Sequence, residues 1–201
     1  MANIDSPFTI SQQLIDDANR QDPCSAVNPE DGTELPAELL YSRRMVERLA
    51  SFAPDASEAL QLAVRAQHIQ RWQIPRHEYP MKRAGYLQWR RELGLFHART
   101  CGQLLQQAGY DITFSDRVGE LLMKKNRQPD SEAQTLEDVA CLVFLEHYLV
   151  DFAPKHDTEK LANIIRKTWR KMSPKAQQVA MTISLPDPMI QFIESALAPA
   201  S

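Results

Sequence analysis

The chain has 201 residues, of which 43% are hydrophobic and 24% charged, a balance that excludes a disordered or fibrous protein and allows a sizeable core. A formal net charge of −3 argues against whole-surface attraction to nucleic acid. No apolar run approaches the roughly 20 residues that a bilayer span requires, so no membrane is expected among its partners. The opening MANIDSPFTISQQ lacks the basic and apolar regions of a secretory signal. Cys24, Cys101 and Cys141 lie far apart and read as reduced thiols in a cytoplasmic protein.

The apolar period is helical nearly throughout. Ile10, Leu14 and Ala18 mark the first helix, followed by a polar, turn-rich connection from Gln21 to Leu35. Within it, N-P-E-D-G-T-E lacks the spacing of a calcium loop and reads as a solvated turn. Pro36 suits the first turn of a helix carrying Leu39, Val46 and Leu49. Asp55 reads as the N-cap of the next helix, with Leu60 and Val64, continuing to His68 and Trp72. A second connection, Ile74 to Arg83, holds two prolines. The helix beyond it, with Leu93, Phe96 and Leu104, stops at Gly109, and Ser115 reads as the N-cap of a helix with Val118, Leu121 and Leu122. Val139 to Val150 is apolar almost all round and predicts the most buried helix. Ser173-Pro174 and Asp187-Pro188 open two short helices. Alternating strand patterns and Asn-Gly turns are absent. The expectation is a single all-α domain over residues 1–201, with about eight helices.

Charge is uneven along the chain. Residues 1–60 carry a net −7, residues 61–100 a net +6 and residues 101–201 a net −2, so the middle is a basic island. Only Glu78 and Glu92 are acidic there. It reads QHIQRWQIPRHEYPMKRAGYLQWRRELGLFH from Gln67 to His97. On a continuous helix His68 shares a face with Arg71 and Trp72, and Tyr86, Arg90, Leu93 and His97 form a stripe on the next. Antiparallel packing of the two would point His68 and His97 into one cleft walled by Trp72 and Trp89. Arg71, Arg76 and Arg90, assisted by Arg43, would then offer forked donors to a phosphate or carboxylate. The competing reading is that these arginines and tryptophans only fasten helices together.

The runs L-Q-L-A-V-R-A-Q-H-I-Q-R-W, I-P-R-x-x-Y-P, G-Y-L-x-W-R and F-H-A resemble the family called domain of unknown function 4202. L-E-D-V-A-C-L-V-F-L-E, R-K-T-W-R-K-M-S and D-D-A-N-x-Q-D-P fit it as well, so the resemblance covers nearly the whole chain. It implies a family and no activity. The order of elements is also similar to the HD-domain phosphohydrolases, which are all-α and bind metal through histidines and aspartates. That resemblance puts Gln67 and His68 at the His-Asp pair, Tyr41 or Ser42 at the upstream histidine, and Ala140, two residues after Asp138, at the later aspartate. Every metal position is thus altered or displaced. His68, His97 and Asp138 are left as the candidate ligands of a divalent metal and as the candidate catalytic residues.

Signatures of P-loop, dinucleotide-binding and common hydrolase folds are absent. The basic stretch ending at Lys171 reads as a solvated helix face. Three functions follow. The first is an HD-like domain binding a phosphorylated or anionic small molecule, with phosphoester hydrolysis as its chemistry. The second is a non-catalytic scaffold that has lost the metal site. The third is RNA binding through Trp72, Tyr79, Tyr86 and Trp89.

Overall fold

Side-chain caps set where most helices begin. The computed structural model describes residues 6–29, 31–123 and 129–198. Ser6 opens α1 (Pro7–Asn19), its hydroxyl accepting the Thr9 N–H at 3.2 Å with Pro7 in the first turn. The chain then forms a small antiparallel hairpin, β1 (Ser25–Val27) with β2 (Glu34–Pro36), Ser25 standing opposite Pro36. Helix α2 (Ala37–Phe52) follows at once, and Ser57 caps α3 (Glu58–Arg65) through the Leu60 N–H. The long α4 (Arg83–Gln107) ends at Gly109, whose φ of +103° is costly for any residue with a Cβ. Asp111 caps α5 (Ile112–Met123) through the Phe114 N–H at 2.8 Å. Then come α6 (Ser131–His147), α7 (Leu149–Phe152), α8 (Thr158–Lys171), α9 (Pro174–Ala180) and α10 (Asp187–Leu197).

The protein is therefore all-α, and its contacts gather into two compact units, Met1–Ala133 and Gln134–Ser201. In the first, α5 lies along α4, while α3 packs on α1, α2 and α5 around Ile15, Leu39, Met45, Leu62 and Ile69. In the second, α8 packs against α10. Among the described residues no helix is long and apolar enough to cross a membrane.

Several expectations shift. The ten α-helical segments among the described residues exceed the expected eight, partly because the apolar run from Val139 breaks at Tyr148. Val139, Leu142, Val143 and Leu145 are buried as expected, but Val150 beyond the break is 42% exposed. The hairpin was hidden in the polar connection. Its turn is closed by the Asn28 N–H donating to the Thr33 carbonyl at 2.8 Å, with Gly32 at φ +72° supplying the left-handed residue. Ser57 caps α3 in place of Asp55. Ser115 lies inside α5, its hydroxyl donating to the Asp111 carbonyl.

Leu142 is fully buried, so Leu142→Ala leaves a cavity that neighbours fill only in part. Chemical denaturation of this variant is expected to show a loss of about 2–5 kcal/mol.

Candidate functional site

Helix α4 supplies one wall of the site. Its buried positions, Gly85, Trp89, Leu93, His97, Cys101 and Leu105, recur at every fourth residue. The stripe read from the sequence is therefore divided. Leu93 and His97 face inward, whereas Tyr86 and Arg90 are exposed. The connection before α4 is strapped onto its first turns. The Trp89 indole N–H donates to the Ile74 carbonyl at 2.9 Å, and the Tyr79 hydroxyl donates to Glu92 at 2.5 Å. Arg76 lies 6.0 Å from the ring centres of both Tyr86 and Trp89 and donates to the Tyr79 and Pro80 carbonyls, each at 2.9 Å. A Cβ on Gly85 would stand 2.2 Å from the Pro80 carbonyl oxygen, so only glycine admits this approach. Arg76 and Trp89, expected as ligand-binding residues, act here as fasteners.

The opposite wall is a turn where the sequence predicts helix. Helix α3 stops at Arg65 because the Ser42 hydroxyl takes its carbonyl at 2.8 Å. The buried Asn19 side chain accepts the Gln70 N–H at 3.1 Å, holding Gln70 at φ +48°. His68 thus sits in a turn, and the helical face it was expected to share with Arg71 and Trp72 does not form. Contact is made another way: the Arg71 guanidinium lies 3.3 Å from His68 Nδ1 and 5.4 Å from the Trp89 ring centre. Trp72, half-buried in the 3-10 turn Arg71–Gln73, does not line the cleft.

Around His68 the structure gathers three groups from two helices, α2 and α4. The Tyr41 ring stacks on it at 4.0 Å, the His97 ring stands 6.2 Å away, and Glu38 Oε2 approaches Nδ1 to 3.3 Å. Sequence reading brought the two histidines together correctly but missed Glu38, which lies 30 residues upstream. The available signal was D-D-A-N-x-Q-D-P. Its Asp22 accepts the Glu38 N–H at 2.9 Å, its Asp16 pairs with Arg65 at 2.7 Å, and its Asn19 holds the His68 turn.

A cleft of about 310 Å³ opens beside this group, lined by Gln67, His68, Arg90, Arg91, Leu93 and His97 among others. His97 Nε2 and Gln67 Oε1 are buried there without a hydrogen-bond partner. Burial, with His68, Arg71 and Arg90 nearby, pulls the His97 pKa down to about 2, so its imidazole is neutral. Burial pushes the Glu38 carboxyl up to about 7, opposed by Arg71. Among the described residues neither Arg90 nor Arg91 has a carboxylate ion pair, and Arg43 is exposed away from the cleft lining.

Asp138 is occupied elsewhere. In the second unit its buried carboxylate accepts the Ser173 N–H at 2.7 Å, the Ser173 hydroxyl at 2.6 Å and Gln134 at 2.9 Å, anchoring the start of α9. Among the described residues no group of three His, Cys, Asp or Glu side chains is placed to hold a metal ion. The residues do not fit the metal that the HD resemblance implies: Gln67 is neutral, Tyr41 stacks on His68, and both Asp138 oxygens are taken. The cysteines are free, and burial holds the Cys101 thiol up at about 12.

These features define an all-α protein with an arginine-lined cleft beside a half-buried Glu-His pair. The model of the family described as a domain of unknown function, DUF4202, matches residues 10–193, and the chain belongs to that family. No curated protein and no solved structure matches it.

The two shifted groups have opposite effects on stability. His97, lowered from 6.5, stabilises the fold above pH 6.5, and this is lost as pH falls toward 2. Glu38, raised from 4.5, stabilises the fold below pH 4.5, and this is lost as pH rises through about 7. Between pH 4.5 and 6.5 their proton counts cancel. Glu38→Gln removes one side of the balance, so its stability relative to wild type should rise by about 1.4 kcal/mol per pH unit across that window. Urea melts at several pH values measure this slope.

Proposed function

We propose that the cleft beside α4 binds a phosphorylated small molecule, and that His68, backed by Glu38, serves as the acid–base group for phosphoester hydrolysis. The observation that carries this reading is one cleft lined by His68, His97, Arg90 and Arg91, in which neither arginine forms a carboxylate ion pair among the described residues. Forked guanidinium donors match phosphate oxygens. In the reaction His68 takes a proton from the attacking water as the bond from phosphorus to the leaving oxygen breaks. It then returns that proton to the leaving alcohol. Glu38, 3.3 Å away, favours the imidazolium formed between the two steps. No step is assigned to a metal, to Asp138 or to Arg76. The free, separated cysteines support a cytoplasmic setting.

The two other readings have less support. A scaffold would occupy its arginines internally, as Arg65 does with Asp16 and Arg117 with Asp130 at 2.6 Å, but Arg90 and Arg91 stand outside such pairs. Base stacking needs several exposed aromatics, and of the four in question Tyr86 is exposed while Trp89 is buried, Trp72 half-buried and Tyr79 bonded to Glu92.

Arg90→Gln is expected to weaken calorimetric binding of a phosphate ester about tenfold, the low end for a charge-assisted bond at an exposed rim. Arg170→Ala, on the basic face of α8, should leave it unchanged. Equal affinity in wild type and Arg90→Gln refutes the assignment.

A further inference from the structure

We propose that the groove between α4 and α5 is a second binding site, separate from the cleft beside His68, and that it takes a zwitterion, an α-amino acid with an aliphatic side chain. The groove has a volume of about 370 Å³, at the small end of the range for small-molecule sites, about 300–1,000 Å³. The two helices run antiparallel along it. A Cβ on Gly94 would stand 3.8 Å from the Met123 Cα, and one on Gly119 would stand 3.5 Å from the Ala98 Cβ. The next turn of this register brings Asp116 of α5 level with Gly102 of α4, and Arg99 belongs to that same turn of α4. Arg99 and Asp116 are both exposed, and among the described residues they are the charged side chains that line the groove. Among those residues Arg99 pairs with no carboxylate and Asp116 with no cation, and the two do not pair with each other. Beside them the groove is open: a Cβ on Gly102 would meet nothing within 4 Å.

One charge of each sign, held apart on facing helices, selects the ligand. A simple anion is drawn to Arg99 and repelled by Asp116, and a simple cation meets the reverse. A zwitterion satisfies both walls. Its carboxylate accepts the forked N–H donors of Arg99, and its ammonium donates to the Asp116 carboxylate. Because the two side chains lie within one helical turn, the ligand's own charges must be close together, as they are on a single α-carbon. One turn nearer Met123 the lining becomes apolar. Leu95 is 39% exposed there, and Met123 faces it from α5. An aliphatic side chain leaving the α-carbon in that direction covers Leu95 and removes apolar surface from water.

Calorimetric titration of the full chain with leucine, leucine methyl ester, isocaproate and glycine tests the inference. The ester lacks the carboxylate, isocaproate lacks the ammonium, and glycine lacks the side chain. Leucine should bind about tenfold or more tighter than each of the other three, tenfold being the low end for one charge-assisted bond. Gly102→Leu places a side chain in the groove from a helix position with room for it, and should weaken leucine binding by about tenfold or more. Arg99→Gln should bring leucine down to the level of its methyl ester. Binding of none of the four by the wild-type protein overturns the inference, and so does binding of leucine no tighter than any one of the other three. These comparisons need no variant to fold. Undiminished leucine binding by Gly102→Leu, shown by circular dichroism to be folded, places the ligand outside the groove and overturns the inference as well. No phosphate ester enters these titrations, so the result is independent of the phosphate reading above.

Discussion

The approach of Glu38 to His68 is the constraint around which the first unit is organised. A carboxylate removed from water must find a donor or a positive charge. Glu38 has the field of Arg71 and lies 3.3 Å from His68 Nδ1, while sitting in the first turn of α2, where the helix dipole favours negative charge. Each partner is held in turn. Asp22, just before the hairpin, bonds the Glu38 backbone, and Asn19 and Ser42 shape the turn that carries His68. Four successive elements therefore converge on one side-chain contact. Burial is sufficient to push the carboxyl toward neutrality, so this contact is a site of stored cost as well as cohesion.

The basic island divides into arginines with different duties. Arg65 is neutralised by Asp16, which reaches it from α1. Arg76 pairs with no carboxylate among the described residues; two backbone carbonyls and two aromatic faces hold it, and it fixes the strap over α4. Arg71 stands between His68 and Trp89 and acts on the cleft through its charge. Arg90 and Arg91 are the pair lining the opening. All of these lie in one basic stretch of sequence, yet of them Arg90 and Arg91 are the ones that line the cleft.

Helical period and caps are local properties, and they made the all-α class, the buried run from Val139, the Gly109 stop and the Ser173 cap legible in the sequence. The hairpin was not legible because its strands are three residues each, too short for an alternating pattern, and its Asp-Gly turn lay within a polar stretch. The early end of α3 depends on Ser42 and Asn19, residues remote in sequence from Arg65 and Gln70, and no periodicity reports such bonds. The same reason hid Glu38. The meeting of His68 with His97 was legible from spacing, but through the wrong geometry, since a turn and not a helix presents His68. Asp138 shows the converse: a carboxylate on a buried apolar helix suggested a ligand, and it serves as an anchor for Ser173.

The cations around His97 determine what the imidazole is able to do. A histidine in the open titrates near neutrality and donates or accepts according to pH. Here burial acts first, the neighbouring His68, Arg71 and Arg90 act in the same direction, and all disfavour the imidazolium. The ring is thereby fixed in its neutral form, on a residue that lines the same cleft as Arg90 and Arg91. Positive charge in such a cleft therefore works with burial, the larger effect, to keep His97 neutral.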